Sequence, residues 1–428
     1  LTALLLLIRN RSPFGWITWI PKLLGGAISA WMCLVALIAA ASGIYLDAPA
    51  AIILGGVSFA ICGIHILRVS AVHADFTQAF GSGWFQHIPQ IVQPQLHKRS
   101  WSLFAPQARR EPHIERDIPF WVVPAGYTSN GQPRTLLCDI WQPPAGMPNS
   151  GLAFIYFHGS GWTMMDKDMG TRYFFRHLSN QGHVIMDVAY RLFPETDMPG
   201  MAGDVQRAIA WMKDHASDYG VRHDRIVVGG GSAGGHLSLL AAYACKEGIL
   251  APEDVRGQDL SVCGVVSEYG PSDLAACYYH TNQHKTTRSL PPGPPTLNPT
   301  RPNPMQRLMG SSYTRLHMES GPSSGAFIYI LGAHPDEHPD MYARLSPIAY
   351  THPGCPPTLQ IQGEYDLVTP PSAARDLHAK LQEFGIPSVL AIYPLTDHGF
   401  DLALPSISPS AQCALYEVER FLGILAGR

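Results

Sequence analysis

Residues 225–237 read Arg-Ile-Val-Val-Gly-Gly-Gly-Ser-Ala-Gly-Gly-His-Leu, and no other stretch restricts the fold as tightly. A short β-branched run passes through a cluster of glycines, with one serine at the apex, into an apolar helical pattern. Read as G-x-S-x-G, Gly230 and Gly234 flank Ser232 at the spacing of a strand-to-helix turn too sharp for flanking side chains. Such a turn holds the hydroxyl above the end of a sheet, and the following helix aims its N-terminal N–H groups at the same spot. The pentapeptide alone also serves as a plain glycine turn, so its meaning depends on what the rest of the chain brings to it.

From about residue 120 onward, strands alternate with amphipathic helices. Strands are expected at 120–123, 134–141, 152–157, 183–189, 225–229, 263–268, 358–362 and 388–393. Helices are expected near 169–180, 202–215, 372–384 and 411–425. That alternation calls for an α/β fold, a mostly parallel central sheet with helices on both faces, and it places ligands at the carboxyl ends of the strands.

Candidate chemistry stands at such strand ends. Phe157-His158-Gly159-Ser160-Gly161-Trp162 follows the strand at 152–157, and glycines there let backbone N–H groups turn outward as an oxyanion hole requires. Gln362-Gly363-Glu364-Tyr365-Asp366 ends a later strand with a carboxylate, and Thr396-Asp397-His398-Gly399-Phe400 follows the next with a histidine. A serine nucleophile needs a base within hydrogen-bond reach, and that base needs a carboxylate to fix its tautomer and stabilise its cation. Asp397 and Glu364 compete for the acid's role. Asp397 adjoins the histidine, where its side chain normally points elsewhere, so Asp366 is preferred.

The segments HGSGW at 158–162, AYRLFPE at 189–195, GGGSAGGHLS at 229–238, YARLSPI at 342–348, GEYDLVTP at 363–370 and DHGF at 397–400 resemble the α/β-hydrolases. Within them the likeness is to hormone-sensitive-lipase-like carboxylesterases and to neighbouring feruloyl-esterase-like and kynurenine-formamidase-like enzymes. It covers residues 120–425. The resemblance implies Ser232 as nucleophile, His398 as general base and Asp366 as its orienting acid, in that chain order. It also implies an oxyanion hole from the backbone N–H groups of Gly159, Ser160 and Ala233, with no metal and no cofactor. Two departures stand out. Ser160 replaces a glycine of the family's HGGG, which puts a side chain near the acyl site. Gly231 stands where the lipase-like branch often has aspartate, which leans toward the feruloyl-esterase and formamidase side.

A segment of almost ninety residues separates the strands at 263–268 and 358–362, with a proline-rich run at 290–295. A lid-like insertion is expected at 270–345, and a solvated excursion is the alternative. Trp162, Tyr269 and Phe400 are candidates to line the pocket. His334, Asp336, Glu337 and His338 form a metal-like cluster, but Pro335 and Pro339 argue against one helix face presenting both histidines. His280 and His284 make no better case.

Before the catalytic domain come two uncharged apolar runs, at 23–46 and 50–67, broken by Asp47-Ala48-Pro49. Each is long enough for a transmembrane helix, and together they read as a membrane hairpin at the end of an N-terminal membrane region, 1–72. Arg9, Arg11 and Lys22 precede the hairpin, and Arg68, Lys98 and Arg99 follow it. The positive-inside tendency then puts both ends, and the catalytic domain, in the cytoplasm. Trp16, Trp19 and Trp31 stand where interfacial rings are expected. Residues 73–119 read as a linker and 120–428 as the catalytic domain. The chain opens on leucine, as a processed or truncated start does.

Composition narrows the partners. A net charge of −3 with 15% charged residues offers no basic surface for nucleic acid. Eight cysteines lack both C-x-x-C pairs and zinc spacing, so they read as buried thiols. The expected function is a membrane-anchored serine carboxylesterase for short- to medium-chain esters. The alternatives are an amidase or formamidase of the same fold, or a non-catalytic subunit of a membrane assembly. The expected partners are the lipid bilayer and a small ester, with a homo-oligomer or membrane-complex partner left open.

Overall fold

A computed structural model describes residues 2–10, 15–103, 110–128, 131–168, 170–244, 250–282 and 324–428. Its N-terminal part is helical: α1 (Gly15–Ala27), α2 (Ser29–Tyr45), α3 (Pro49–Ser70) and the short α4 (Phe76–Phe80). Eight strands follow: β1 (His113–Val123), β2 (Arg134–Gln142), β3 (Ala153–Phe157), β4 (Val184–Ala189), β5 (Ile226–Gly231), β6 (Gly264–Glu268), β7 (Thr358–Gly363) and β8 (Ser388–Tyr393). They form one sheet in the order β1-β2-β4-β3-β5-β6-β7-β8. The pairs β1/β2 and β2/β4 are antiparallel, and every other pair is parallel.

Strands covered on both faces bury every residue, and β3, β5, β6 and β7 do so. Along β3, Ile155 and Phe157 pack with α6 (Met198–Asp214) and α7 (Ala233–Ala244). Phe154 and Tyr156 point the other way, to α5 (Arg172–Ser179) and the C-terminal helix Pro409–Gly427. The AYRLFPE segment is held by charge. Arg191 forks onto Asp204 through Nε and Nη2, both at 2.8 Å, and Arg207 reaches the same carboxylate at 2.8 Å.

The sheet starts earlier than the sequence pattern suggested, because β1 takes in residues 113–119. His113, Arg116 and Asp117 are exposed on this edge strand, which hides the apolar alternation of an ordinary strand. The expected linker is a strap on the domain. Ile88, Val92 and Leu96 are buried against the C-terminal helix, and the N–H groups of His97 and Ser102 donate to Glu419 and Gln412 of that helix.

The first expected membrane helix, 23–46, is two helices. α1 and α2 meet at Ile28 with a 75° bend, and only as a bent pair do they match a spanning segment. α2 alone has 17 residues, about 25 Å of helix, short of a hydrocarbon core of about 30 Å. α3 has 22 residues and is long and apolar enough to cross a bilayer by itself. The pair α2/α3 does pack as a hairpin. A Cβ at Gly55 would lie 2.7 Å from the Ala40 nitrogen and 2.8 Å from the Ala36 oxygen, so glycine is what lets the two backbones approach. Trp19, expected at the lipid interface, bonds to the catalytic domain, and Lys22, expected to mark the cytoplasmic end of the hairpin, is buried. Arg11 lies outside the described residues.

Candidate active site

The serine turn owes its shape to missing side chains. Any Cβ at Gly230 or Gly234 would collide with the Phe157 carbonyl oxygen. Between them Ser232 takes φ +52°, a left-handed conformation that non-glycine residues adopt only where surrounding structure enforces it. Its N–H donates to Glu268 O at 2.8 Å, which locks the end of β5 to β6.

The three residues predicted to act together do meet. Ser232 Oγ lies 2.9 Å from His398 Nε2, and His398 Nδ1 lies 2.9 Å from Asp366 Oδ2 and 3.1 Å from Oδ1. The network assigns the ring proton to Nδ1, facing the carboxylate, and leaves Nε2 to accept from the serine. Asp366 is buried and well supplied with donors. Its Oδ1 accepts the N–H groups of Val368 at 2.8 Å and Thr369 at 2.7 Å, and its Oδ2 accepts Gln362 Nε2 at 3.0 Å. Burial lowers the basicity of the His398 ring, but Asp366, with Asp397 and Asp401, outweighs it and leaves the pKa above the usual histidine value. This arrangement suits a base that must take a proton and hold it.

Of the predicted oxyanion donors, Gly159 and Ala233 lie beside the same serine. A Cβ at Gly159 would stand 3.4 Å from Ser232 Cβ, so that backbone passes close to the serine. Ala233 is the first residue of α7, where N–H groups have no acceptor within the helix. The Ser160 hydroxyl does not occupy the acyl site. It pairs with Tyr190 Oη at 2.7 Å and accepts the Trp162 N–H at 2.9 Å, and Tyr190 donates on to His158 O at 2.9 Å.

Of the predicted pocket residues, Tyr269 sets its ring edge-on to His398 with centroids 4.7 Å apart. Phe400 packs on Tyr269 and Tyr393 and is buried in the core, so it supports the wall from behind. Trp162 is buried, and its Nε1 donates to His236 Nδ1 at 3.2 Å. His236 Nε2 in turn donates to Leu345 O at 2.8 Å, and burial pushes this ring down to about 4, so it is neutral at pH 7. Most of the expected lid, 283–323 with the proline-rich run and His284, lies outside the described residues. Its flanks are helices Leu274–Asn282, Ser324–Leu331 and Pro339–Arg344.

The sequence reading missed several supports. Asp397, set aside as an acid, accepts the Leu367 and His398 N–H groups and so ties the acid's loop to the histidine's. His280 Nε2 bonds the Asp366 carbonyl oxygen at 2.8 Å. The links from Asp397 to Leu367 and from His280 to Asp366 span distant parts of the sequence, and no local pattern marks them. Elsewhere, His334 pairs with Tyr278 Oη at 2.8 Å and Asp336 with Tyr279 Oη. His97, His177 and Glu419 converge beside a cavity of about 850 Å³ away from Ser232. The two imidazoles there stack with centroids 4.2 Å apart and planes 3° apart, so no single ion lies in both ring planes.

A BD-FAE family model matches residues 138–315, and that of the prolyl oligopeptidase family matches 325–409. Esterase LipQ of Mycobacterium tuberculosis is 27% identical over 365 residues, covering 83% of this chain and 75% of that protein. The probable carboxylic ester hydrolase LipM of the same organism is 30% identical over 273 residues, covering 62% of this chain and 53% of that one. An esterase structure from Pyrobaculum calidifontis matches with TM-score 0.52 at 21% identity, over 75% of this chain and 88% of the other. The chain is a serine hydrolase of the α/β-hydrolase type, similar in sequence to carboxylesterases of the hormone-sensitive-lipase-like and BD-FAE group.

Proposed function

We propose that the protein is a membrane-associated carboxylesterase that cleaves short- to medium-chain esters through Ser232, His398 and Asp366. The observation that carries this reading is the unbroken chain from Ser232 Oγ through the His398 ring to Asp366, with links of 2.9 Å on either side of the ring. As Ser232 Oγ attacks the ester carbonyl, His398 Nε2 takes its proton. Asp366 holds the resulting imidazolium, and the N–H groups of Gly159, Ser160 and Ala233 receive the developing oxyanion. The proton then passes to the leaving alkoxide, and an acyl-serine remains. Water, deprotonated by the same histidine, adds to the acyl carbon, and the proton returns to Ser232 as the acid leaves.

The membrane part of the reading rests on the hairpin's outer surface. Val35, Ile38, Ile53, Leu54 and Leu67 are all exposed by more than 60%, which in water is an unusually continuous apolar face. At about 33 Å, α3 matches the hydrocarbon thickness. A hairpin leaves both of its ends on one side of the bilayer, and exposed Arg9, Arg68, Lys98 and Arg99 favour the cytoplasmic side.

The test is covalent labelling with a fluorophosphonate, alongside turnover of matched nitrophenyl esters and anilides of increasing acyl length. Wild-type protein is expected to label at Ser232 and to favour esters with short or medium chains, whereas Ser232→Ala neither labels nor turns over. Hydrolysis by the alanine variant at the wild-type rate refutes the assignment.

A further inference from the structure

The arm that leads into the apolar hairpin reaches the histidine loop across almost the whole length of the chain. We propose that Asn10, Trp19 and Lys22 are positioning residues for His398 and act through Asp397 and the His398 backbone. The inference rests on the reading of Ser232, His398 and Asp366 given above.

Asp397 divides its two oxygens between two tasks. Oδ1 accepts the N–H of His398 at 2.8 Å and that of Leu367 at 2.9 Å. Because Leu367 follows the acid Asp366, this oxygen fixes the separation of the acid's loop from the histidine's. Oδ2 faces the arm, where Asn10 Nδ2 donates at 2.7 Å and Lys22 Nζ approaches to 3.4 Å. The Asp397 carboxylate has no solvent exposure and the Lys22 side chain only 2%, so each is the other's compensation for lost hydration.

The arm is itself held in place. Lys22 Nζ donates to Ile8 O at 2.7 Å and lies over the Tyr365 ring, 4.7 Å from its centroid. Thr18 Oγ1 donates to Asn10 Oδ1 at 2.7 Å, turning the amide nitrogen toward Asp397. Trp19 adds a separate hold, its Nε1 donating to the His398 carbonyl oxygen at 2.8 Å. Side chain and backbone of the pair 397–398 are thus gripped from one short segment, and that segment continues through Ile28 into α2.

Charge gives the grip its direction. Burial pushes the Asp397 carboxyl above its usual range; Lys22 opposes that push, and Asp366 adds to it. Without the ammonium, Asp397 faces Asp366 and His398 as an uncompensated buried anion, takes up a proton, and Oδ1 and Oδ2 no longer hold their partners as before. The other charged groups acting on this corner are Glu364, through Lys22, and Asp401, through His398.

The experiment compares full-length Lys22→Met, Lys22→Arg and Lys22→Met/Asp397→Asn with wild type on a soluble nitrophenyl ester. Rates are referred to active sites titrated with a fluorophosphonate, so unfolded protein is not counted. A small displacement of a catalytic group costs about 10–100-fold, so Lys22→Met is expected to lose that much kcat with KM within about twofold. The acid limb of its pH profile is expected to move, and Lys22→Arg to restore most of the rate. The double variant, with neither buried charge, is expected to recover part of it. If Ser232→Ala hydrolyses the ester at the wild-type rate, the underlying triad reading fails. If Ser232→Ala is inert while Lys22→Met keeps the wild-type kcat per titrated site and pH profile, the positioning role alone is overturned. Should Lys22→Met not accumulate folded, Trp19→Phe, which removes that ring's single polar atom, carries the same test. A roughly tenfold lower kcat per site supports the proposal, and an unchanged one overturns it.

Discussion

Ser160 Oγ and Tyr190 Oη meet at 2.7 Å, and the tyrosine hydroxyl donates its hydrogen bond to the His158 carbonyl oxygen at 2.9 Å. The side chain that departs from the family's triple glycine is thereby spent on bracing the turn, and the backbone N–H of residue 160 is what remains for an oxyanion. Ser160→Gly keeps that N–H and the Tyr190–His158 bond but frees the Trp162 N–H, so it is expected to lower kcat/KM by less than Tyr190→Phe does. Tyr190→Phe strands two buried partners at a cost of about 1–3 kcal/mol, and is expected to lower kcat/KM by about tenfold or more. Steady-state kinetics on one nitrophenyl ester distinguishes the two variants.

The pH profile reports the histidine. Because its pKa is raised, His398 is protonated, and unable to act as base, to a higher pH than an ordinary histidine. The acid limb of kcat/KM is therefore expected above about 6.5. Asp366→Asn removes the main opposition to burial, so the limb moves to lower pH while kcat falls by about two to four orders of magnitude. A limb that stays put in the asparagine variant contradicts the electrostatic account.

Glu417, on the C-terminal helix, is buried, and its Oε1 lacks a hydrogen-bond partner. Burial pushes its pKa up to about 8. The folded state thus binds the proton more tightly than the unfolded state, and this favours folding below about pH 4.5. Stability is lost as pH rises from there through about 8. Glu417→Gln is expected to raise Tm at pH 8.5 and to change it little at pH 4.5. Thermal melts at the two pH values decide the point; an equal shift at both excludes this carboxyl as the source.

Ile38 and Leu54 sit on the exposed faces of the hairpin helices. An arginine near the middle of a membrane helix costs about 2.5–3.5 kcal/mol on insertion scales. Ile38→Arg/Leu54→Arg is expected to move the protein from the carbonate-resistant membrane fraction to the supernatant. kcat on a soluble ester should stay within about twofold. Retention in the membrane by the double arginine variant contradicts insertion of this hairpin.

The catalytic half was legible because its chemistry is punctuated locally. Each of Ser232, Asp366 and His398 stands just past a strand, beside glycines or an acidic turn that break the apolar pattern. The Ile28 bend was not legible, since residues 23–46 contain neither charge nor proline and hydropathy is blind to direction. The helix before the bend is docked through Trp19 and Lys22 on residues 397 and 398, more than 370 positions away. The strap at 73–103 hid for the same reason: Leu96 reads as a stray apolar residue until the C-terminal helix covers it. Asp397 was passed over because adjacency seemed to turn it away from the ring. It does point away from the imidazole, but toward the main chain that carries it.

At the serine turn, Phe157 abuts Gly230 and Gly234 through its carbonyl oxygen, main chain resting on main chain from two directions. A serine seated this way has no slack in its backbone. Repacking a neighbouring side chain leaves it where it is, and it shifts only when β3, β5 and α7 come apart. Substrate range, on the reading proposed above, is accordingly free to drift through the walls around Ser232, while the backbone that carries the serine stays fixed in place.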